Sequence, residues 1–157
     1  MGQKQEGEHK DCHENCICKV LKNLLETQRK RKGEMDTTES CTCSINRGTD
    51  QEKEPISFIL QTPYGHPFFT WGKIGKKDCF ATVFFTVEKV DCKENCALLR
   101  LMKPNKTIID PDTECIESSS ICGVDYVVPT KECVFIKLDC YSAVKLTSAD
   151  FIKSKSC

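Results

Sequence analysis

Phe80-Ala81-Thr82-Val83-Phe84-Phe85-Thr86-Val87-Glu88-Lys89-Val90, followed after a polar interval by Ala97-Leu98-Leu99-Arg100-Leu101, is the stretch that decides the fold. Aromatic and β-branched side chains dominate the first run, and such residues suit a pleated, half-buried surface. Ala81, Val83, Phe85 and Val87 take one face, with Thr82, Thr86 and Glu88 on the other, which is the period of a strand. Ala97, Leu99 and Leu101 alternate with Arg100 in the same way. Asp91-Cys92-Lys93-Glu94-Asn95 between the runs reads as a hairpin turn.

Working outward, Ile56 to Thr62, His66 to Trp71, Lys106 to Asp110, Val124 to Val128 and Glu132 to Leu146 are further strand candidates, each bounded by turn residues. In the last, Val134, Ile136, Leu138 and Cys140 share a face opposite Lys137 and Asp139. Trp71, Phe68, Phe69, Phe84 and Phe85 are expected in the core or at a contact between copies, because aromatics supply large buried area in both. Short strands with no helices between them predict a mainly β chain, an antiparallel sandwich or barrel-like domain over residues 55–157.

Ahead of that domain, Ile17, Val20, Leu21, Leu24 and Leu25 fall at helical spacing between Glu14 and Gln28. Asp11 or Asn15 would cap this helix, and Arg29 to Lys32 would complement its C-terminal dipole before Gly33 ends it. Such a helix is not stable alone in water and needs a surface to cover. Residues 1–32 are thus a polar lead plus a short amphipathic helix with a cysteine cluster. Residues 33–54 are a flexible polar linker carrying Cys41 and Cys43.

Thirteen of the 157 residues are cysteine. That density is typical of disulfide scaffolds, but the odd count rules out full pairing within one chain. The first ten residues are polar with no apolar h-region, and no stretch is apolar enough for a membrane span. The chain is therefore expected to be made on the cytoplasmic side, where thiols stay reduced. Its cysteines then bind metal, carry redox chemistry, or oxidise later.

Zinc would draw on Cys12, His13, Cys16, Cys18, Cys41 and Cys43, yet the Cys-x-x-Cys knuckles that aim two sulfurs at one ion are missing. A thioredoxin-like site lacks its Cys-x-x-Cys and its βαβ unit. A cysteine nucleophile needs an orienting histidine, and His66 reads as a turn residue in Tyr64-Gly65-His66-Pro67. Twenty-three basic and 23 acidic side chains leave no net charge to attract nucleic acid or anionic lipid. The Arg29–Lys32 cluster reads as a solvated helix end. No enzyme and no cofactor are expected.

Cross-linking remains. Cys12, Cys16, Cys18, Cys41, Cys43 and Cys157 lie on segments expected to move, where two thiols most easily reach disulfide geometry, and are the candidates for bonds between copies. Cys79, Cys92, Cys96, Cys115, Cys122 and Cys133 lie at strand ends or turns, open to bridges within or between chains. Cys140 is a further disulfide candidate, with plain core filling as its other reading.

The block from Cys79 to Val90, with Cys96-Ala97-Leu98-Leu99-Arg100-Leu101, resembles the core of the spore coat protein Y/Z family of spore-forming bacilli, which includes exosporium basal-layer proteins. Asp112-Thr113-Glu114-Cys115 and Ile136-Lys137-Leu138-Asp139-Cys140-Tyr141 fit its C-terminal pattern, so the likeness covers residues 55–147. The resemblance implies a structural protein made in the mother cell and placed in the spore coat or exosporium. It would self-assemble, as hexamers, into a hexagonal two-dimensional lattice hardened by disulfides between subunits. Its partners would be its own copies and other coat or exosporium proteins, with no nucleic acid and no membrane. The chain departs from the pattern after Cys140, where Ser142 and Val144-Lys145-Leu146 stand and Cys157 comes only at the end.

Overall fold

A computed structural model of the chain describes residues 16–28, 55–148 and 150–153. The chain is mainly β, with antiparallel sheets and one N-terminal helix. Helix α1 covers residues 16–28. After it come β1 (Phe58–Gln61), β2 (Thr70–Gly72), β3 (Phe80–Thr82), β4 (Phe85–Asp91), β5 (Cys96–Pro104), the short helix α2 (Ser118–Cys122), β6 (Val127–Lys137), a 3-10 turn (Leu138–Cys140) and β7 (Ala143–Leu146). Five strands form one antiparallel sheet in the order β6-β5-β4-β1-β7, and β2 and β3 form a separate two-stranded ribbon. The capping and linker expectations at Asp11, Asn15 and residues 29–54 lie outside the described residues.

The long run from Phe80 to Val90 is not one strand. It breaks at Val83 and Phe84, which are both buried and both belong to the same apolar cluster. Two successive inward side chains cannot be served by strand alternation, so the chain changes sheets there. β3 pairs with β2 and β4 pairs with β5. Thr82, set by alternation on the face opposite Ala81, is buried at the break and holds it: its hydroxyl donates to the Met102 carbonyl (2.6 Å) and accepts from the Phe84 N–H (3.0 Å). Thr86 is buried too, because the sheet is covered on both faces and no solvent side is left here.

The hairpin between β4 and β5 forms as expected. Asp91 Oδ1 accepts from the Lys93 and Glu94 N–H groups (3.0 and 3.2 Å), and Asn95 takes the left-handed conformation at φ 57°. Aspartate and asparagine tolerate these positions because their short polar side chains bond locally. The register slips between Val87 and Lys89, and Glu88 at this bulge meets Arg100 Nε at 2.7 Å. A second slip lies between Arg100 and Met102, opposite Pro129 on β6. Proline is tolerated in an edge strand at such an irregularity, so β6 runs unbroken from Val127 to Lys137 instead of starting at Glu132. Lys106 to Asp110 contributes only a single bridge, Ile109 to Ile116.

The core has two parts. One joins Phe58, Leu60, Phe85, Val87, Leu99, Leu101 and Ile136 of the large sheet, and Leu138 of the 3-10 turn, with Cys18 and Leu21 of α1. Ile17, Leu24 and Leu25 complete that helix face, so the sheet supplies the surface that the helix needs. Val20, part of the expected stripe, is exposed, and Cys18 takes the inward place instead. The other part gathers Val83, Phe84, Met102, Ile108, Val124, Val127 and Ile152. Phe68 and Phe85 stack at 5.3 Å between ring centres, while Trp71 stands half-exposed, edge-on to Phe69 at 5.0 Å.

Candidate cross-linking site

The described cysteines divide by burial and bonding. Cys18 of α1 is joined to Cys92, the first residue of the β4–β5 turn, with 5.8 Å between their Cα atoms. This departs from the expectation that Cys18 would link copies. The helical face that buries Leu21 also turns Cys18 inward, onto the end of the hairpin. Cys133 is also held in a disulfide, and it lies within β6 opposite Arg100 rather than at a strand end.

Cys79, Cys96, Cys115, Cys122 and Cys140 are thiols. Cys79 closes the β2–β3 connection, where its N–H bonds the Lys76 carbonyl at 3.2 Å. Cys115 sits at the neck of a tight loop in which Asp110 and Cys115 bond through the backbone (2.9 Å) and Glu114 takes φ 61°. Cys122 is the last residue of α2. Cys96 opens β5, and its thiol donates to the Glu94 carbonyl at 3.4 Å. Cys140 ends the 3-10 turn and is exposed, which corrects its reading as core filling. The turn lifts residues 138–140 off strand geometry, so Leu138 goes in and Cys140 comes out.

Cys96 and Cys140 flank one junction. The Leu138 N–H donates to the Asn95 carbonyl at 2.8 Å, and the Asn95 side-chain amide donates to Asp139. The adjoining Tyr141 phenol is pushed above its usual range by burial and, secondarily, by the nearby Cys140.

Of the six residues weighed for zinc, only Cys16 and Cys18 are described, and a sulfur already bonded to Cys92 cannot ligate as a thiolate. No group of three or more potential metal ligands occurs among the described residues. Cys16 lies exposed at the start of α1, while Cys12, His13, Cys41, Cys43 and Cys157 lie outside the described residues. His66 is a turn residue: its carbonyl accepts from the Thr62 N–H (2.9 Å). Asn105, of the sequon-like Asn105-Lys106-Thr107, is a turn brace whose Oδ1 accepts from the Asp125 N–H at 2.9 Å. No helix among the described residues is long and apolar enough to cross a membrane.

The sequence reading passed over Phe135. It is 79% exposed on the long edge strand β6, opposite Leu98. Its parity against the buried Ile136 was the available signal, because neighbours on a strand face opposite ways.

Fold and chemistry together define a small, mainly β body with its core fastened by a disulfide and its loops tipped with thiols. The chain belongs to the family described as spore coat protein Z, whose model matches residues 3–148. It is 26% identical over 136 residues to a protein of Bacillus subtilis (strain 168) named spore coat protein Z, covering 83% of this chain and 86% of that one. No solved structure matches it.

Proposed function

We propose that this protein is a non-catalytic building block of the spore surface, made in the mother cell, which associates with its own copies into a two-dimensional layer locked by disulfides. The reading extends to hexameric rings tiled in a hexagonal lattice, in the coat or exosporium, together with other proteins of those layers. Family membership supports the spore-coat setting. The observation that carries the cross-linking is the placement of Cys79, Cys115, Cys122 and Cys140 as exposed thiols outside the strands, spread over the β2–β3, β5–β6 and β6–β7 intervals. Thiols so dispersed serve neighbours on several sides, and a lattice needs that. Phe135, Ile74 and Tyr64 are exposed apolar groups available for non-covalent contact before oxidation.

The test uses equal amounts of light- and heavy-isotope full-length protein, mixed while reduced and then oxidised. Disulfide-linked peptides pairing one light and one heavy partner at these cysteines, with a gel ladder that collapses on reduction, are expected. A chain that stays monomeric after oxidation, with only same-isotope pairs, refutes the proposal.

A further inference from the structure

We infer that the Cys18–Cys92 bond is a redox latch: its state decides whether α1 stays docked over the inner face of the large sheet. The idea goes beyond self-assembly and does not depend on it. Isolated helices shorter than about 12–15 residues are marginal in water, so α1 owes its form to docking. Its docking face is short, with Cys18 and Leu21 buried and Ile17, Leu24 and Leu25 partly so.

The far end of the helix is held poorly. Gln28 Nε2 donates to the Val87 carbonyl at 3.3 Å, but Gln28 Oε1 is buried with no hydrogen-bond partner among the described residues. A buried acceptor left unpaired works against the docked state. At the near end, the disulfide joins α1 to a turn 74 residues away in sequence. The covalent tie therefore fastens the end of α1 opposite the weak one, and with it gone the helix is left to its short apolar face.

The chemistry is ordinary thiol–disulfide exchange with a low-molecular-weight thiol as reductant. Cys92 is half-buried in a turn and Cys18 is 1% exposed, so the incoming thiolate attacks the Cys92 sulfur. The bond between Cys18 and Cys92 breaks, a mixed disulfide forms on Cys92, and the Cys18 sulfur departs with the electron pair and takes up a proton. A second reductant thiol then attacks the mixed disulfide, leaving Cys92 as a thiol and the reductant as its own disulfide. Because the first leaving group is generated in an apolar site, where charge is costly, opening is slow and the closed latch persists. Opening uncovers the part of the core cluster that Cys18 and Leu21 complete, and closing covers it again.

Hydrogen–deuterium exchange on the full chain tests this. Oxidised protein is compared with Cys92→Ser and, as a second variant that leaves the turn intact, Cys18→Ala. In the variants, amides of α1 are expected to lose protection by at least about tenfold more than those of β4 and β5, as for a local opening added to the overall loss of stability. The same change should appear on adding a small thiol to the oxidised protein. Unchanged α1 protection, or α1 and sheet protection lost by equal factors in both variants, overturns the inference.

Discussion

A glycine at position 72 lets the Phe80 ring lie against the backbone of β2. A Cβ there would stand 2.4 Å from Phe80 Cζ, 2.6 Å from Cε1 and 3.2 Å from a Leu101 methyl. Gly72→Ala must therefore displace the ring from its seat, where the Lys103 ammonium also lies 5.5 Å from its centre. Overpacking of this kind costs about 1–3 kcal/mol. The urea midpoint should fall accordingly, and Phe80→Leu in the same chain should recover part of the loss. Tyr141 gives a second prediction. Burial raises the pKa of its phenol, so the folded state keeps this proton to higher pH than the unfolded chain does. The associated stability is fully present below the ordinary tyrosine value of about 10 and is lost as pH rises through the folded value. In alkaline urea titrations the wild-type midpoint should decline more steeply above about pH 10 than that of Tyr141→Phe. Parallel curves would mean the phenol contributes nothing.

The hairpin and α1 show what was legible at the level of elements. Asp91 to Asn95 reads as a turn from sequence because each residue there acts locally, and the observed turn uses Asp91 and Asn95 as that chemistry requires. Asn95 also reaches outward to the 3-10 turn, which no local pattern announces. Asn95→Gly keeps the left-handed backbone but drops the amide bond to Asp139, so it should cost about 1 kcal/mol. Asn95→Val should cost more, because a β-branched residue is strained at positive φ. Thermal melts of the two variants check that order. The helix was readable from its stripe, but the reading put Val20 inward and left Cys18 out. A cysteine ranks as polar or apolar only once its bonding is known, and the bond to Cys92 is a long-range fact. The break at Val83 and Phe84 was hidden for a related reason. Both residues are excellent strand formers, and the second core cluster that pulls them inward is built from Ile108, Val124 and Ile152, far along the chain.

For the whole molecule, the consequence is a separation of two kinds of cysteine. The Cys18–Cys92 bridge closes a loop of 74 residues, and loop-closure entropy puts its effect on stability at up to about 4 kcal/mol. It acts within one subunit. The exposed thiols Cys79, Cys115, Cys122 and Cys140 stand on the surface outside the strands, where a substitution to serine disturbs little, usually within about 0.5 kcal/mol. In a layer they act differently, because a bond to a neighbour prevents departure without making the subunit itself more stable. The two roles should therefore come apart by mutation. Replacing all four exposed cysteines by serine should leave the urea midpoint of dilute, monomeric protein nearly unchanged and yet remove most of the non-reducing gel ladder. Cys92→Ser should do the reverse, lowering the midpoint while the ladder persists. If the fourfold variant still forms the full ladder, the rivets are instead among Cys12, Cys16, Cys41, Cys43 and Cys157, where sequence reasoning first placed them. The body of the subunit would then present its loop thiols to no neighbour.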